Sequence, residues 1–240
     1  MRILGYIICH YGLPYLDAVL RSLAPQVEKI VILYTPTPSQ GHTTPTPCHD
    51  SREALKAIAD KYPCVQWIDG IWANEGAHCN AVHAYSQGYD WLVRADTDEV
   101  LEDGAVARWI EAATPMPNRH FSPKFLHFWR SFNWACGDGH TPVRLTRLNG
   151  GDGLGYLDAA LGRVLHFGYA QPTPYIQYKM LVQGHHDEWR REWFATKWLK
   201  NAKADLHPVC VDGFWTAQPF DKSTLPASLR DHPYFGLDVI

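Results

Sequence analysis

The chain has 240 residues and is 46% apolar, which is enough for one large domain or two small ones with a packed core. Its formal net charge of −3 gives no overall positive field, which argues against a protein that grips nucleic acid over its whole surface. The six cysteines form no Cys-x-x-Cys pair, so we expect no structural zinc site and a cytoplasmic protein with reduced thiols.

The first hundred residues alternate between apolar runs and amphipathic segments. The run at 2–9 predicts a strand rather than a signal peptide, because no small-residue cleavage site follows it. In chain order we predict strands at 2–9, 29–34, 65–68 and 89–95, and helices at about 14–24, 51–61 and 76–87. Strands joined by helices at this rhythm predict an α/β fold with a mostly parallel sheet.

The second half has a different pattern and predicts a mixed arrangement. A Thr/Pro tract at 35–47 already reads as a surface loop, and the glycine-rich segment at 150–155 reads as a flexible one. Later predictions are extended segments at 121–132 and 141–148, a strand at 163–167, helices at 173–182 and 189–199, and a wrapping tail after Pro208.

An acidic tip ends the fourth predicted strand, where the apolar run 91–95 gives way to Asp96, Asp98 and Glu99. Such a tip lies at the carboxyl edge of the sheet, where open α/β sheets bind ligands. Strand alternation would place Asp96 and Asp98 on one side, where they repel unless a cation lies between them. Mg²⁺ or Mn²⁺ carrying a diphosphate is the natural ligand. The alternative is an acidic loop beside a helix start at 102–103.

The segment 72–80 follows the third predicted strand and therefore reaches the same edge. Its Glu75, His78 and Asn80 offer hydrogen-bond donors and acceptors for a nucleotide or a sugar. The alternative is that Asn74 simply caps the next helix.

Two later segments also carry candidate ligands. His166, beside a short strand and a glycine, suits a metal ligand or a hydrogen-bonded core histidine. Lys179 can reach a leaving diphosphate, and His185 and His186 can contact phosphate or acceptor. The alternative for 184–189 is a polar turn between two helices.

These segments together resemble a family-two glycosyltransferase of the GT-A fold, in a bacterial and phage branch. The similarity covers roughly residues 3–190 and is carried by segments 5–23, 74–80, 94–99 and 165–189, in the family's order. The resemblance implies one GT-A domain over 1–240, with a nucleotide-binding half at 1–100, an acceptor half at 101–200 and a C-terminal tail at 201–240. The sheet would be Rossmann-like and flanked by helices, and the C-terminal part mixed.

The resemblance further implies a nucleotide-sugar donor, usually a UDP sugar, and Mn²⁺ or Mg²⁺. Asp98 would bind the metal directly. Asp96 would bind the donor ribose or sugar, or the metal through water. His166 would be the third protein contact, to the metal or to the diphosphate. With the clusters above, the candidate donor contacts are Cys9, His10, Tyr11, Thr35, Asn74, Glu75, His78, Asn80, Arg94, Asp96, Lys179 and His186.

The chain also departs from the family. After the second strand it reads Tyr34-Thr35-Pro36-Thr37, without the usual acidic residue, so the contact with the base must differ. No obvious catalytic-base motif follows, although an inverting reaction is the family's expectation. Besides Asp98, the candidate catalytic carboxylates are Asp138, Asp152 and Asp158.

The acceptor stays open between a glycan or small hydroxyl compound and, as a minority reading, a hydroxymethylated phage DNA base. The DNA reading uses the basic residues Arg119, Lys124, Arg130, Arg144 and Arg147. Phe128, Trp129, Phe132 and Trp134 would stack on an acceptor or form the packed face of a hairpin. A nucleotidyltransferase and a non-catalytic carbohydrate- or nucleotide-binding module are the alternative functions.

Overall fold

The computed structural model describes residues 1–38, 42–137, 141–184, 186–209 and 215–239. The strands, β1 to β12 in chain order, are Ile3–Cys9, Lys29–Tyr34, Val65–Asp69, Trp91–Asp96, Glu99–Leu101, His120–Ser122, Phe125–Trp129, Trp134–Cys136, Leu145–Arg147, Leu154–Tyr156, Val164–Tyr169 and Gln218–Pro219. The α-helices, α1 to α6, are Leu16–Leu23, Arg52–Ala59, Glu75–Asn80, Ala105–Ala113, Thr173–Val182 and Ala227–Arg230.

The main sheet has the strand order β10-β6-β9-β4-β1-β2-β3. β1 pairs in parallel with β2 and β4, and β2 pairs in parallel with β3. β9 runs antiparallel to both β4 and β6. The predicted α/β fold with a mostly parallel sheet and flanking helices is therefore confirmed.

A second sheet has the order β12-β8-β7-β11-β5. The chain passes directly from β4 in the first sheet to β5 in the second, so residues 97–98 form the turn between the sheets. In the second sheet, β11 pairs antiparallel with β5 and in parallel with β7. This junction places the acidic tip beside β11.

Two helices within residues 1–100 begin at capping side chains. Ser51 accepts a hydrogen bond from the Ala54 amide and begins α2, and Asn74 accepts one from the Ala77 amide and begins α3. The capping role of Asn74 is therefore confirmed. α1 packs its buried apolar face, which includes Leu16 and Leu20, against the main core.

A second, aromatic core lies under the C-terminal part of the chain. Trp129, Trp193 and Trp198 are buried there, with Tyr169 and Trp215 beside them. This packing explains much of the unusual tryptophan content. Within the residues described, no helix has the length and apolar composition that a membrane crossing requires.

Three predicted elements differ in the structure. The predicted loop 150–155 contributes two residues to β10, because Gly155 lets this strand approach β6: a Cβ there would lie 2.8 Å from Phe121 Cδ1. The predicted helix 76–87 is α3 followed by a 3₁₀ segment at Ala81–Tyr85. Within 189–199 the regular segment is a π-helical turn at Phe194–Trp198.

Candidate active site

A pocket of about 150 Å³ lies at the carboxyl ends of β1 and β4. Its position agrees with the rule that open parallel sheets bind ligands at this edge. The lining residues are Ile8, Cys9, His10, Tyr11, Glu75, His78, Arg94, Asp96, Thr97, Asp98, His166, Lys179 and Val182. The pocket thus joins the loop after β1, the acidic tip, α3, β11 and α5.

The turn between the two sheets holds the acidic tip against the loop after β1. The Thr97 hydroxyl donates a hydrogen bond to the Tyr11 carbonyl at 2.7 Å. Gly12 has a φ of +151°, and a Cβ there would lie 2.3 Å from Thr97 Cβ. Glycine is therefore required at this approach. The Asp98 carbonyl accepts a hydrogen bond from the Phe167 amide at 2.8 Å, which fixes the turn to β11.

Asp98, His166 and Lys179 come together at one side of the pocket. His166 Nε2 is 3.8 Å from Asp98 Oδ1, and Lys179 Nζ is 3.7 Å from Asp98 Oδ2. Gln171 Nε2 donates to Asp98 Oδ2 at 3.1 Å. A Cβ on Gly168 would lie 2.4 Å from His166 Nε2 and 2.6 Å from Lys179 Nζ, so glycine leaves room for both side chains.

Burial shifts the protonation of this group. It raises the pKa of Asp98, although the Lys179 ammonium acts in the opposite direction. It also holds the pKa of His166 well below its usual value, and His127 and Lys179 lower it further. His166 is therefore neutral. It lies within β11, and its Nδ1 is 2.7 Å from His127 Nδ1, so one of these two nitrogens carries the shared proton.

Asp96 faces two arginines. Its Oδ1 accepts from Arg94 Nε at 2.9 Å, and its Oδ2 accepts from Arg144 Nη2 at 2.8 Å. Burial opposes ionisation, but the Arg144 and Arg94 guanidiniums together lower the pKa of Asp96 below its usual value. β4 ends at Asp96 and Asp98 lies in the following turn, so strand alternation does not extend to Asp98, yet both aspartates line the same pocket.

The loop after β1 is held through His10. Its Nδ1 is 2.9 Å from the Thr35 carbonyl, which only accepts, so this nitrogen carries the proton. Burial lowers the pKa of His10, and its neutral Nε2 accepts from the Tyr178 hydroxyl at 2.7 Å. Thr35 is fully buried. Thr35 does not line the pocket, and its contact with the site is the hydrogen bond from His10 to its carbonyl.

Asp50 ties the same loop to α5. Its Oδ2 accepts from the amides of Gly12 and Leu13 at 2.6 and 2.8 Å, and its Oδ1 accepts from the Tyr175 hydroxyl. The side chain is buried. Because α5 also carries Lys179, this contact links two sides of the pocket.

The structure separates the other predicted donor contacts into two groups. Glu75 lines the pocket and lies 3.3 Å from Arg94 Nη2. His78 and Cys9 also reach the lining, although both are buried, and His78 Nε2 donates to the Leu33 carbonyl at 2.8 Å. Asn80 is exposed near the end of α3 and does not line the pocket.

The two predicted catalytic bases that the described residues include do not line the pocket. Asp152 and Asp158 are exposed and do not line it, and Asp158 caps a 3₁₀ turn through the Ala160 amide. Asp138 and His185 lie outside the described residues, and His186 begins a 3₁₀ segment.

Two further predictions concern basic and aromatic residues between positions 119 and 147. Arg130 and Arg144 are buried, so the five basic residues do not form the surface patch that the DNA reading requires. Phe128, Trp129 and Phe132 are buried as well, which favours the packed-hairpin interpretation over acceptor stacking.

The side chains of the pocket show which residues could bind the Mn²⁺ or Mg²⁺ that the resemblance implies. Within the described parts of the chain, no three His, Cys, Asp or Glu side chains are close enough to hold a cation by themselves. Asp98 Oδ1 and His166 Nε2 nevertheless lie 3.8 Å apart, and these two side chains would hold a divalent cation together with ligands from a bound diphosphate or water. A carboxylate oxygen with a neutral imidazole nitrogen fits Mn²⁺ better than Mg²⁺.

Sequence reasoning missed several residues that shape this pocket: Asp50, His127, Gln171 and Tyr178. They reach it across sequence separations of 38, 39, 73 and 168 residues, respectively. No local motif marks such contacts. Among the four, only His127 carried a signal in the sequence, as a polar residue inside the apolar run 125–129.

No protein-family model matches the chain, and no curated protein matches it. Among solved structures, 4-diphosphocytidyl-2C-methyl-D-erythritol synthase from Anaerococcus prevotii is 14% identical over 60% of this chain and 63% of its own, with a TM-score of 0.38. S. aureus TarS is 12% identical over 53% of this chain and 36% of its own, with a TM-score of 0.39.

A third structure similar to this chain is that of glucosyl-3-phosphoglycerate synthase from Mycobacterium tuberculosis, in complex with Mn²⁺, UDP and phosphoglyceric acid. It is 11% identical over 52% of this chain and 43% of its own, with a TM-score of 0.37. In all three comparisons the match spans less than two thirds of the other protein's length.

Proposed function

We propose that the protein is a glycosyltransferase that moves a sugar from a nucleotide-linked donor, first of all a UDP sugar, to a hydroxyl of a glycan or small acceptor. One observation carries this proposal. Asp98, His166 and Lys179 meet the His10–Tyr11 loop in one pocket at the carboxyl edge of a parallel sheet. The resemblance of the motifs to bacterial and phage family-two enzymes supports it.

The chain supplies positive charge where a diphosphate would depart. Lys179 Nζ lies beside the pocket with Asp98, and Arg94 lines the same pocket between Asp96 and Glu75. Fixed cations in a partly buried site stabilise developing negative charge more strongly than water does. We therefore assign Lys179 and Arg94 to stabilising the leaving nucleoside diphosphate.

Asp98 and His166 would hold a divalent cation, Mn²⁺ or Mg²⁺. When bound, such an ion acts as a Lewis acid that offsets charge on phosphoryl oxygens. For His166 Nε2 to offer its lone pair, its proton must lie on Nδ1 and be donated to His127. Asp96 keeps its arginine partners in this assignment.

The inverting course that the resemblance implies needs a carboxylate that takes the proton from the acceptor. Asp152 and Asp158 do not fill that place, because both are exposed outside the pocket. The base is therefore left unassigned in the proposal, and the donor side is what the first experiment tests.

A thermal-shift screen of nucleotide sugars, with and without Mn²⁺, tests the proposal. A true donor at about 100 times its dissociation constant adds roughly 2.7 kcal/mol, or roughly 5–10 °C in a chain of this size. Asp98→Asn should abolish sugar transfer while the protein still folds, and the exposed Asp158→Asn is the matched control.

Product analysis separates the alternatives. A glycosyltransferase releases a nucleoside diphosphate, a nucleotidyltransferase exchanges pyrophosphate, and a binding module shows the thermal shift without turnover. Near-normal transfer by Asp98→Asn, or no shift with any nucleotide sugar, would contradict the proposal.

A further inference from the structure

Arg144 is the most deeply buried cation at the acidic tip. It immediately precedes β9, and its Nε and Nη2 donate to the two carboxylate oxygens of Glu99 at 2.6 and 2.5 Å. Only 4% of the Arg144 side chain and 3% of the Glu99 side chain are exposed. Separating such a bidentate pair would leave a buried charge without a partner, so the pair holds its geometry.

Arg144 also forms an ion pair with Asp96. Its Nη2 donates to Asp96 Oδ2 at 2.8 Å, while Arg94 Nε donates to Asp96 Oδ1 at 2.9 Å. Both carboxylate oxygens of Asp96 thus accept from a guanidinium. A divalent cation at Asp96 would stand beside two fixed positive charges, which repel it strongly in a partly buried site.

Asp98 has a different environment. Its described side-chain partners are the Gln171 amide at 3.1 Å, Lys179 at 3.7 Å and His166 at 3.8 Å. None of these is a guanidinium, and Asp98 lines the pocket together with Asp96. Asp96 and Asp98 thus both line the pocket, but Asp96 and Glu99 are hydrogen-bonded to arginine, whereas the described partners of Asp98 include no arginine.

We propose that Arg144 is a positioning residue that withdraws Asp96 and Glu99 from cation binding and leaves Asp98 as the carboxylate that meets the cation. The proposal rests on the proposed function, since it takes a metal and a diphosphate as the ligands. It gives Asp96 a different task, which is to hold the Arg94 guanidinium at the pocket wall.

The first test measures Mn²⁺ binding alone, by electron paramagnetic resonance of free Mn²⁺, in the 240-residue protein and two isosteric variants. Asp96→Asn should keep its Mn²⁺ affinity within about twofold of the wild type, because Asp96 contributes no ligand. Asp98→Asn should lose at least about tenfold, because ligand charge sets affinity. Equal losses in the two variants would overturn the proposal.

The second test removes the arginine. Arg144→Met frees Asp96 and Glu99, so Mn²⁺ affinity should rise by about tenfold or more. A merely structural arginine would leave the affinity unchanged or lower it, and either result would overturn the proposal. Arg147→Met is the matched control, because Arg147 donates to the backbone carbonyls of Ala113, Thr114 and Met116 and should not affect Mn²⁺.

The two proposals fail in different ways. If Arg144→Met does not fold, the comparison of Asp96→Asn with Asp98→Asn still decides. Mn²⁺ binding with this pattern, but no thermal shift with any nucleotide sugar, would refute the proposed function and leave the role of Arg144 standing. If neither the wild type nor Arg144→Met binds millimolar Mn²⁺, the role of Arg144 is refuted, whatever the nucleotide sugars do.

Discussion

Neighbouring side chains, more than residue type, determine the charge of each group in the pocket. Asp96 and Asp98 are two residues apart, yet the pKa of Asp96 is lowered by two arginines against the effect of burial, while burial raises the pKa of Asp98. Burial lowers the pKa of His166, and the neighbouring His127, Lys179 and Arg144 lower it further. The Asp-x-Asp spacing therefore contains two carboxylates in different electrostatic environments.

Asp50 provides a test at the same scale. Asp50→Asn replaces one carboxylate oxygen with an NH₂ group, which cannot accept a hydrogen bond. Depending on the orientation of the amide, either the Gly12 and Leu13 amides or the Tyr175 hydroxyl lose their acceptor. We expect a loss of about 2–3 kcal/mol in the free energy of unfolding and weaker donor binding. Urea unfolding and the nucleotide-sugar thermal shift measure the two effects.

Tyr175→Phe is a milder version of this change. It removes one hydrogen bond to Asp50 and should cost about 1 kcal/mol. Tyr156→Phe is the control, since that side chain is exposed and should leave the stability unchanged. Wild-type stability in Asp50→Asn would show that the carboxylate does not hold the loop.

Element boundaries follow local chemistry where a cap or a proline is present. α5 occupies Thr173–Val182 as predicted, with Pro174 in its first turn. α2 begins after Ser51, whose side chain accepts from the Ala54 amide at 3.1 Å. The bounds of β10 could not be predicted from its own segment. This strand forms because Gly155 packs closely against Phe121 of β6, a contact that depends on a distant part of the chain.

The cap of α2 gives a prediction for a single element. Ser51→Ala removes the acceptor for the Ala54 amide and should lower the free energy of unfolding by about 1 kcal/mol. Ser51→Asp keeps an acceptor at the same place and should restore most of that loss. Equal urea midpoints for the wild type and Ser51→Ala would mean that α2 does not depend on its cap.

Buried neutral histidines connect the pH dependence of the whole molecule to its packing. His10, His78 and His232 each donate to a backbone carbonyl, those of Thr35, Leu33 and Pro14, respectively. Burial lowers the pKa of all three, and the carbonyl contact only partly compensates. These three histidines therefore bind a proton more readily in the unfolded chain than in the folded protein.

The sign of the effect follows from linkage. The stabilisation by these histidines is complete above the unfolded pKa of about 6.5, and it is lost as the pH falls from there through the lower folded values. Urea unfolding between about pH 5 and pH 8 should show this decline. His232→Gln should reduce the slope, and exposed His83→Gln should not. A flat profile in the wild type would contradict the argument.

The sequence by itself determined the alternation of strands and helices, the mostly parallel sheet and the position of the acidic tip. These features depend on periodicity, caps and apolar runs within short segments, which act before distant parts of the chain meet. The caps at Ser51 and Asn74 show how local such signals are.

Only the tertiary structure decided which groups surround each carboxylate. The acidic tip joins two sheets, so Asp96 meets Arg144 across 48 residues and Asp98 meets Gln171 across 73. Charge, burial and hydrogen bonding between residues so far apart depend on how the elements pack, and no local pattern in the chain encodes them. For that reason the sequence indicated the place of the pocket, whereas the hydrogen-bond partners that distinguish its two aspartates appeared only in the folded chain.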